Sequence, residues 1–111
     1  MAVNKIELSL KKVLRQAMIK LEYVEDYDLE RIVIEIPKDK THGDYSSNIA
    51  MQLTKILRRN PREIAQNIVD AIDKEAGHID HVEIAGPGFI NLFLKKDVMT
   101  SIIKEVLDEN E

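Results

Sequence analysis

Gly86-Pro87-Gly88 interrupts two apolar runs, Val82-Glu83-Ile84-Ala85 and Phe89-Ile90-Asn91-Leu92-Phe93-Leu94. Both glycines reach backbone angles closed to other residues, and the proline between them has no N–H to give to a ladder. An extended chain therefore has to stop and reverse here. The pattern predicts a strand over His81–Ala85, a turn at Gly86, Pro87 and Gly88, and a strand over Phe89–Leu94 paired antiparallel to the first. A strand rather than a helix follows the glycines, and no Lys-Ser or Lys-Thr pair comes after them. The tripeptide thus reads as a structural turn and not as a phosphate-binding loop.

The rest of the chain supplies helices to cover that hairpin. Ile6, Leu10, Val13, Leu14, Ala17, Met18 and Leu21 recur at helical intervals, and Asn4 with Glu7 has capping-box spacing, which predicts a helix from Asn4 to Leu21. Ile32-Val33-Ile34-Glu35-Ile36 is rich in β-branched residues and is stopped by Pro37, as a strand would be. Lys38 to Gly43 reads as a loop. Gly43, Asp44 and Tyr45 then read as a structural helix start: the glycine permits a tight approach, the aspartate caps, and the tyrosine packs with Ile49, Leu53, Ile56 and Leu57. Ser46 and Ser47 fall in the same first turn, as capping hydroxyls.

Asn60-Pro61-Arg62-Glu63 combines an N-cap residue, a proline at the first helical position and a glutamate at the third, and so opens a third helix. Gly77 is expected to close it. A last helix is expected from Asp97 to Leu107 with Val98, Ile102, Ile103 and Val106 buried. Strands and helices segregated in this way predict a single α+β domain: a small antiparallel β-sheet with about four α-helices packed on it.

Composition excludes several function classes. The 111 residues contain no cysteine, which removes disulfides and thiolate metal sites, and the cytoplasm is the default compartment. Lysines and Arg15 interrupt the first helix, so neither a signal peptide nor a membrane association is expected. The three histidines, His42, His78 and His81, lie in polar surroundings and no metal is expected. No histidine or acid stands where it would activate Ser46 or Ser47 as a nucleophile, so no catalytic residue and no cofactor are assigned to this chain. Sixteen basic against twenty acidic residues give a formal charge of −4, so any nucleic-acid contact has to be local. The candidate basic groups are Lys38, Lys40 and His42, then Arg58, Arg59 and Arg62, then Lys95 and Lys96. The stretch from Glu22 to Glu30 is acidic.

Alternation along Phe89–Leu94 puts Ile90, Leu92 and Leu94 on one face and Phe89, Asn91 and Phe93 on the other. Two readings fit an amide between two aromatic rings. The rings pack beneath a helix while Asn91 satisfies a loop backbone group, or the face receives an unstacked nucleobase, with a ring on its plane and the amide on its edge.

Gly43-Asp44-Tyr45-Ser46-Ser47-Asn48-Ile49-Ala50, Asn60-Pro61-Arg62-Glu63-Ile64-Ala65 and Val82-Glu83-Ile84-Ala85-Gly86-Pro87-Gly88-Phe89-Ile90-Asn91-Leu92-Phe93-Leu94 together resemble the N-terminal additional domain of arginyl-tRNA synthetases, in the family's order and at about its spacing. The resemblance covers nearly the whole chain. It implies an α+β unit that leans on the elbow of arginine tRNA and reads a D-loop base, with Phe89 as the stacking platform and Asn91 as the hydrogen-bonding amide. Some members carry a polar residue three positions before the aromatic; this chain departs from them in having Gly86 there. Lys38, Lys40 and His42 are further candidates for contact with the RNA backbone.

The resemblance also implies a parent ligase that joins arginine to its tRNA with ATP. The ATP is then bound outside this chain, because the His-Ile-Gly-His-type and Lys-Met-Ser-Lys-Ser-type sequences are absent from these residues. The expected partners are arginine tRNA and the remainder of the synthetase polypeptide, whose catalytic and anticodon-binding domains lie outside residues 1–111. The rival reading is a protein-interaction domain that uses the acidic segment around Glu25, Asp26 and Asp28 and does not read RNA.

Overall fold

A computed structural model describes residues 5–96. The expected helix over 97–107 lies outside the described residues. Helix α1 spans Lys5–Lys20 and turns Ile6, Leu10, Val13, Leu14, Ala17 and Met18 inward, the stripe that a period of 3.6 requires. Strands β1 (Ile34–Glu35) and β2 (Tyr45–Ser47) follow, then α2 (Ile49–Leu57), α3 (Pro61–Ala71), the single turn α4 (Lys74–Gly77), β3 (Ile79–Ala85) and β4 (Phe89–Leu94). The sheet is antiparallel throughout, in the order β1-β2-β4-β3. Helices α2 and α3 lie against β4, α3 also meets β3, and α1 packs on α3, α4 and β1. The core fills the space between these helices and the inner sheet face, where Ile90, Leu92, Ile79, Ile49, Leu53, Ile64 and Ile68 are all buried. No described helix is long and apolar enough to cross a membrane.

The α+β class and the hairpin agree with the sequence, and three local expectations do not. The first concerns Gly43, Asp44 and Tyr45, which begin a strand edge and not a helix. Gly43 has φ +96°, and a Cβ there would lie 2.9 Å from the Leu92 carbonyl oxygen. The Asp44 N–H donates to that same carbonyl at 2.9 Å, and its carboxylate accepts from the Leu94 N–H at 2.8 Å. The aspartate thus extends the β2–β4 ladder with its side chain, instead of capping a helix. Helix α2 starts only at Ile49, whose N–H is taken by the Ser47 hydroxyl.

The second concerns the run from Ile32 to Ile36, of which only Ile34 and Glu35 pair. Ile34 stands opposite Ser47 and Glu35 opposite Ser46, and the pairing stops before Ile36 and Pro37, whose ring nitrogen has no N–H to give to a ladder. Ile32 is buried but ends a 3₁₀ turn at Leu29–Arg31, and Ile36 is exposed. The third concerns Gly77. Helix α3 ends at Ala71, Ile72 is extended, and Asp73 caps the separate turn α4, which His78 closes in the left-handed conformation. Gly77 instead allows close packing: a Cβ there would meet the Ile79 side chain at 2.9 Å and Val13 at 3.2 Å.

Candidate nucleic-acid interface

The turn that opened the sequence argument is anchored from below. Gly86 has φ +55°, as the first central residue of a primed hairpin turn needs, and Gly88 donates to the Ala85 carbonyl at 3.2 Å. Gly88, at φ +141°, lies so close to the start of α3 that a Cβ would meet Pro61 backbone atoms at 3.1 Å. The Arg62 guanidinium donates to the Gly86 carbonyl. Asn60 accepts from the Arg62 N–H at 2.8 Å, so the cap read in the sequence also fixes the ground on which the turn rests. Phe89, the first residue of β4, leaves this clamped turn on the sheet face away from the helices and is 37% exposed.

Asn91 shares that outer face yet is only 4% exposed. Strand register explains why. Glu35, Ser46, Asn91 and Glu83 stand opposite one another across all four strands, so Asn91 is flanked on both sides by side chains as well as by its neighbours along β4. The Ser46 hydroxyl donates to its Oδ1 at 2.9 Å. The amide is therefore satisfied by a side chain of β2, and no loop backbone group is involved. No further hydrogen bond of the Asn91 amide group occurs among the described residues.

Phe93, third on this face, is partly buried and stacks on His81 with ring centroids 4.2 Å apart and planes 12° off parallel. His81 is held there by Asp80, 2.6 Å from Nδ1, and by Glu83, 3.5 Å from Nε2. One face of the Phe93 ring is thus occupied, and Phe89 is the aromatic that stays open. Beyond Phe93 a shallow depression is lined by Asp44, Asp80, His81, Leu94, Lys95 and Lys96. Lys95 pairs with Glu75 at 3.5 Å. No three His, Asp or Glu side chains gather as metal ligands among the described residues.

The basic groups divide between the two ends of the sheet. Because β2 runs antiparallel to β4, with Tyr45 opposite Leu92 and Ser47 opposite Ile90, the β1–β2 connection lies at the Leu94 end. That connection carries Lys38, Lys40 and His42, the last two in a 3₁₀ turn. Five residues of strand separate this end from Phe89, about 17 Å. Sequence proximity to Gly43 therefore did not bring these residues to the aromatic. Asp39 between them is held below the usual carboxylate range first by the Thr41 N–H and then by the Thr41 hydroxyl, with desolvation opposing them and His42 adding a lesser lowering effect. Arg58, Arg59 and Arg62, by contrast, stand at the α2–α3 junction, from which Arg62 reaches the Gly86 carbonyl of the turn.

Residues 5–94 match the family model described as the arginyl tRNA synthetase N terminal domain. An arginine–tRNA ligase of Bacillus licheniformis is 42% identical over 109 residues, 98% of this chain and 20% of that protein. One from Staphylococcus epidermidis is 57% identical over 84 residues, 76% of this chain and 15% of that protein. The chain spans a fifth or less of the length of these relatives. The crystal structure of arginyl-tRNA synthetase from Plasmodium falciparum superposes with a TM-score of 0.70 over 91% of this chain and 18% of that one, at 18% identity, and so shares the fold. With the turn, the β2 lock and the helix start all inside the matched span, the chain belongs to the arginyl-tRNA synthetase N-terminal domain family.

Proposed function

We propose that this domain binds arginine tRNA at the D-loop side of its elbow, as part of an arginine–tRNA ligase of the cytoplasm. Phe89 stacks on an unpaired base and Asn91 donates to that base's edge. The observation that carries this reading is the pairing of an open Phe89 ring, presented by a clamped turn, with an Asn91 amide two residues on whose oxygen Ser46 already holds. A rigid platform and a pre-oriented donor lose little freedom on binding, and a stacked base contributes about 1–3 kcal/mol without a basic surface beneath it.

In this reading the domain performs no chemistry. ATP and arginine bind in the remainder of the synthetase, and this unit fixes the tRNA so that its acceptor end reaches that remote site. Lys38, Lys40 and His42 enter only as contacts to another stretch of the RNA backbone, given their place at the far end of the sheet. The test is Phe89→Ala in the full-length ligase, with aminoacylation followed against tRNA concentration. Use of tRNA is expected to weaken by roughly 1–3 kcal/mol, tenfold or somewhat more, with the domain still folded. An unchanged dependence on tRNA would overturn the platform.

A further inference from the structure

We infer that Arg58, Arg59 and Arg62 form a phosphate-binding track that holds the RNA strand on either side of the base received by Phe89. This deepens the function proposed above and rests on it.

Charge distribution is the first ground. The outer sheet face around Asn91 carries Glu35 and Glu83 in the same cross-strand row, with Asp80 beside His81. A polyanion cannot run along that row without meeting carboxylates. At the turn the outer-face pair is Ala85 and Phe89, which carries no acid, and the near carboxylate is Glu63 on α3, so the backbone of a strand leaves the platform most readily there.

Placement is the second. The Arg62 guanidinium is already on the Gly86 carbonyl, three residues before Phe89, and Pro61 touches Gly88. Arg58 and Arg59 directly precede the cap residue Asn60, so at 3.8 Å per residue neither backbone lies more than about 12 Å from Pro61. Arg58 has φ +55° and ends α2, a sharp reversal that keeps both arginines at the junction instead of along a helix.

None of the three has a carboxylate partner among the described residues. Arg58, Arg59 and Arg62 are exposed, and none is in an ion pair among the described residues, whereas Lys11, His81 and Lys95 are each paired with an acid. Arg59 only leans over the Tyr23 ring, 6.0 Å from its centroid. In a chain of charge −4, three arginines at one helix junction without carboxylate partners, one of them on the carbonyl of the turn that precedes an open aromatic ring, suit an anionic strand.

The experiment measures binding of labelled arginine tRNA by the full-length protein over a salt series. Arg58→Asn suits the left-handed backbone angle, and Arg59→Gln keeps a polar side chain over Tyr23. The double variant is expected to bind more weakly by the same factor whichever base stands in the D-loop, and to lower the slope of log affinity against log salt by about 0.7–1 per arginine. Lysine at both positions is expected to restore the slope, which a purely structural role would not do. Phe89→Ala is expected to weaken binding at an unchanged slope.

If the double variant keeps wild-type affinity and slope while Phe89→Ala weakens binding, the track is wrong and the platform stands. If Phe89→Ala has no effect while the arginine variants do, the platform fails and the track as stated here fails with it. Loss of affinity that lysine does not restore also overturns the track.

Discussion

Gly43 and Asp44 show how two residues can hold a sheet together. The glycine combines a positive φ with a Cα pressed on the Leu92 carbonyl, so Gly43→Ala is expected to cost at least about 1–3 kcal/mol, read as a lower urea midpoint. Asn91 accepts from the Ser46 hydroxyl on the outer face. Its replacement by alanine leaves the Ser46 hydroxyl without its acceptor, at roughly 1 kcal/mol, whereas Phe89→Ala should cost far less than the ~3–5 kcal/mol of a buried phenylalanine, because the ring is partly in solvent. Asp39 offers a pH test. Its carboxyl is depressed, so its contribution to stability is present above the unfolded value near 3.8 and is lost as pH falls through the lower folded value. NMR titration should therefore place the Asp39 midpoint below that of a free aspartate, and Thr41→Val should raise it by removing the hydroxyl bond. Alternation put Phe89, Asn91 and Phe93 on one face correctly. It did not tell them apart, because their different exposures depend on Ser46, Glu83 and His81 from other strands.

Among the elements, α3 was the most legible. Asn60 and Pro61 act through bonds to residues two to four positions away, so the helix start is written locally, and Asn60→Ala is expected to cost about 1 kcal/mol by thermal denaturation. Strand β2 was not legible. Tyr45-Ser46-Ser47 is too short to show alternation, and its side chains resemble those of a helix start; what makes it a strand is the pairing with Leu92, Asn91 and Ile90, more than forty residues away. Asp44→Ala removes the carboxylate that accepts from the Leu94 N–H, and faster hydrogen exchange at that amide is the expected sign, with a loss of about 1–3 kcal/mol for a charge-assisted bond. The separation of α4 from α3 was hidden for a similar reason. Gly77 resembles a helix stop, but the break comes at Ile72, which is buried in the core.

At the scale of the whole molecule, the described helices pack on one sheet face and leave the other uncovered among the described residues, and this asymmetry makes that face a candidate binding surface. The same topology sorts the charges: acids across the middle of the outer face, Lys38 and His42 near one end, and Arg62 on the turn at the other. The fold is shared with a synthetase only 18% identical to it, so the architecture tolerates wide change in side chains. The sequence by itself determined the α+β class, the hairpin, the stripe of α1 and the start of α3. All of these depend on periodicity or on residues within a few positions of one another. Only the tertiary structure decided that Gly43 and Asp44 lock β2 to β4, that Phe89 stays open while Asn91 is enclosed, and that Arg62, rather than Lys38, Lys40 or His42, reaches the turn before the aromatic. Those outcomes depend on which distant strands pair and in what register, and no local pattern of side chains encodes that.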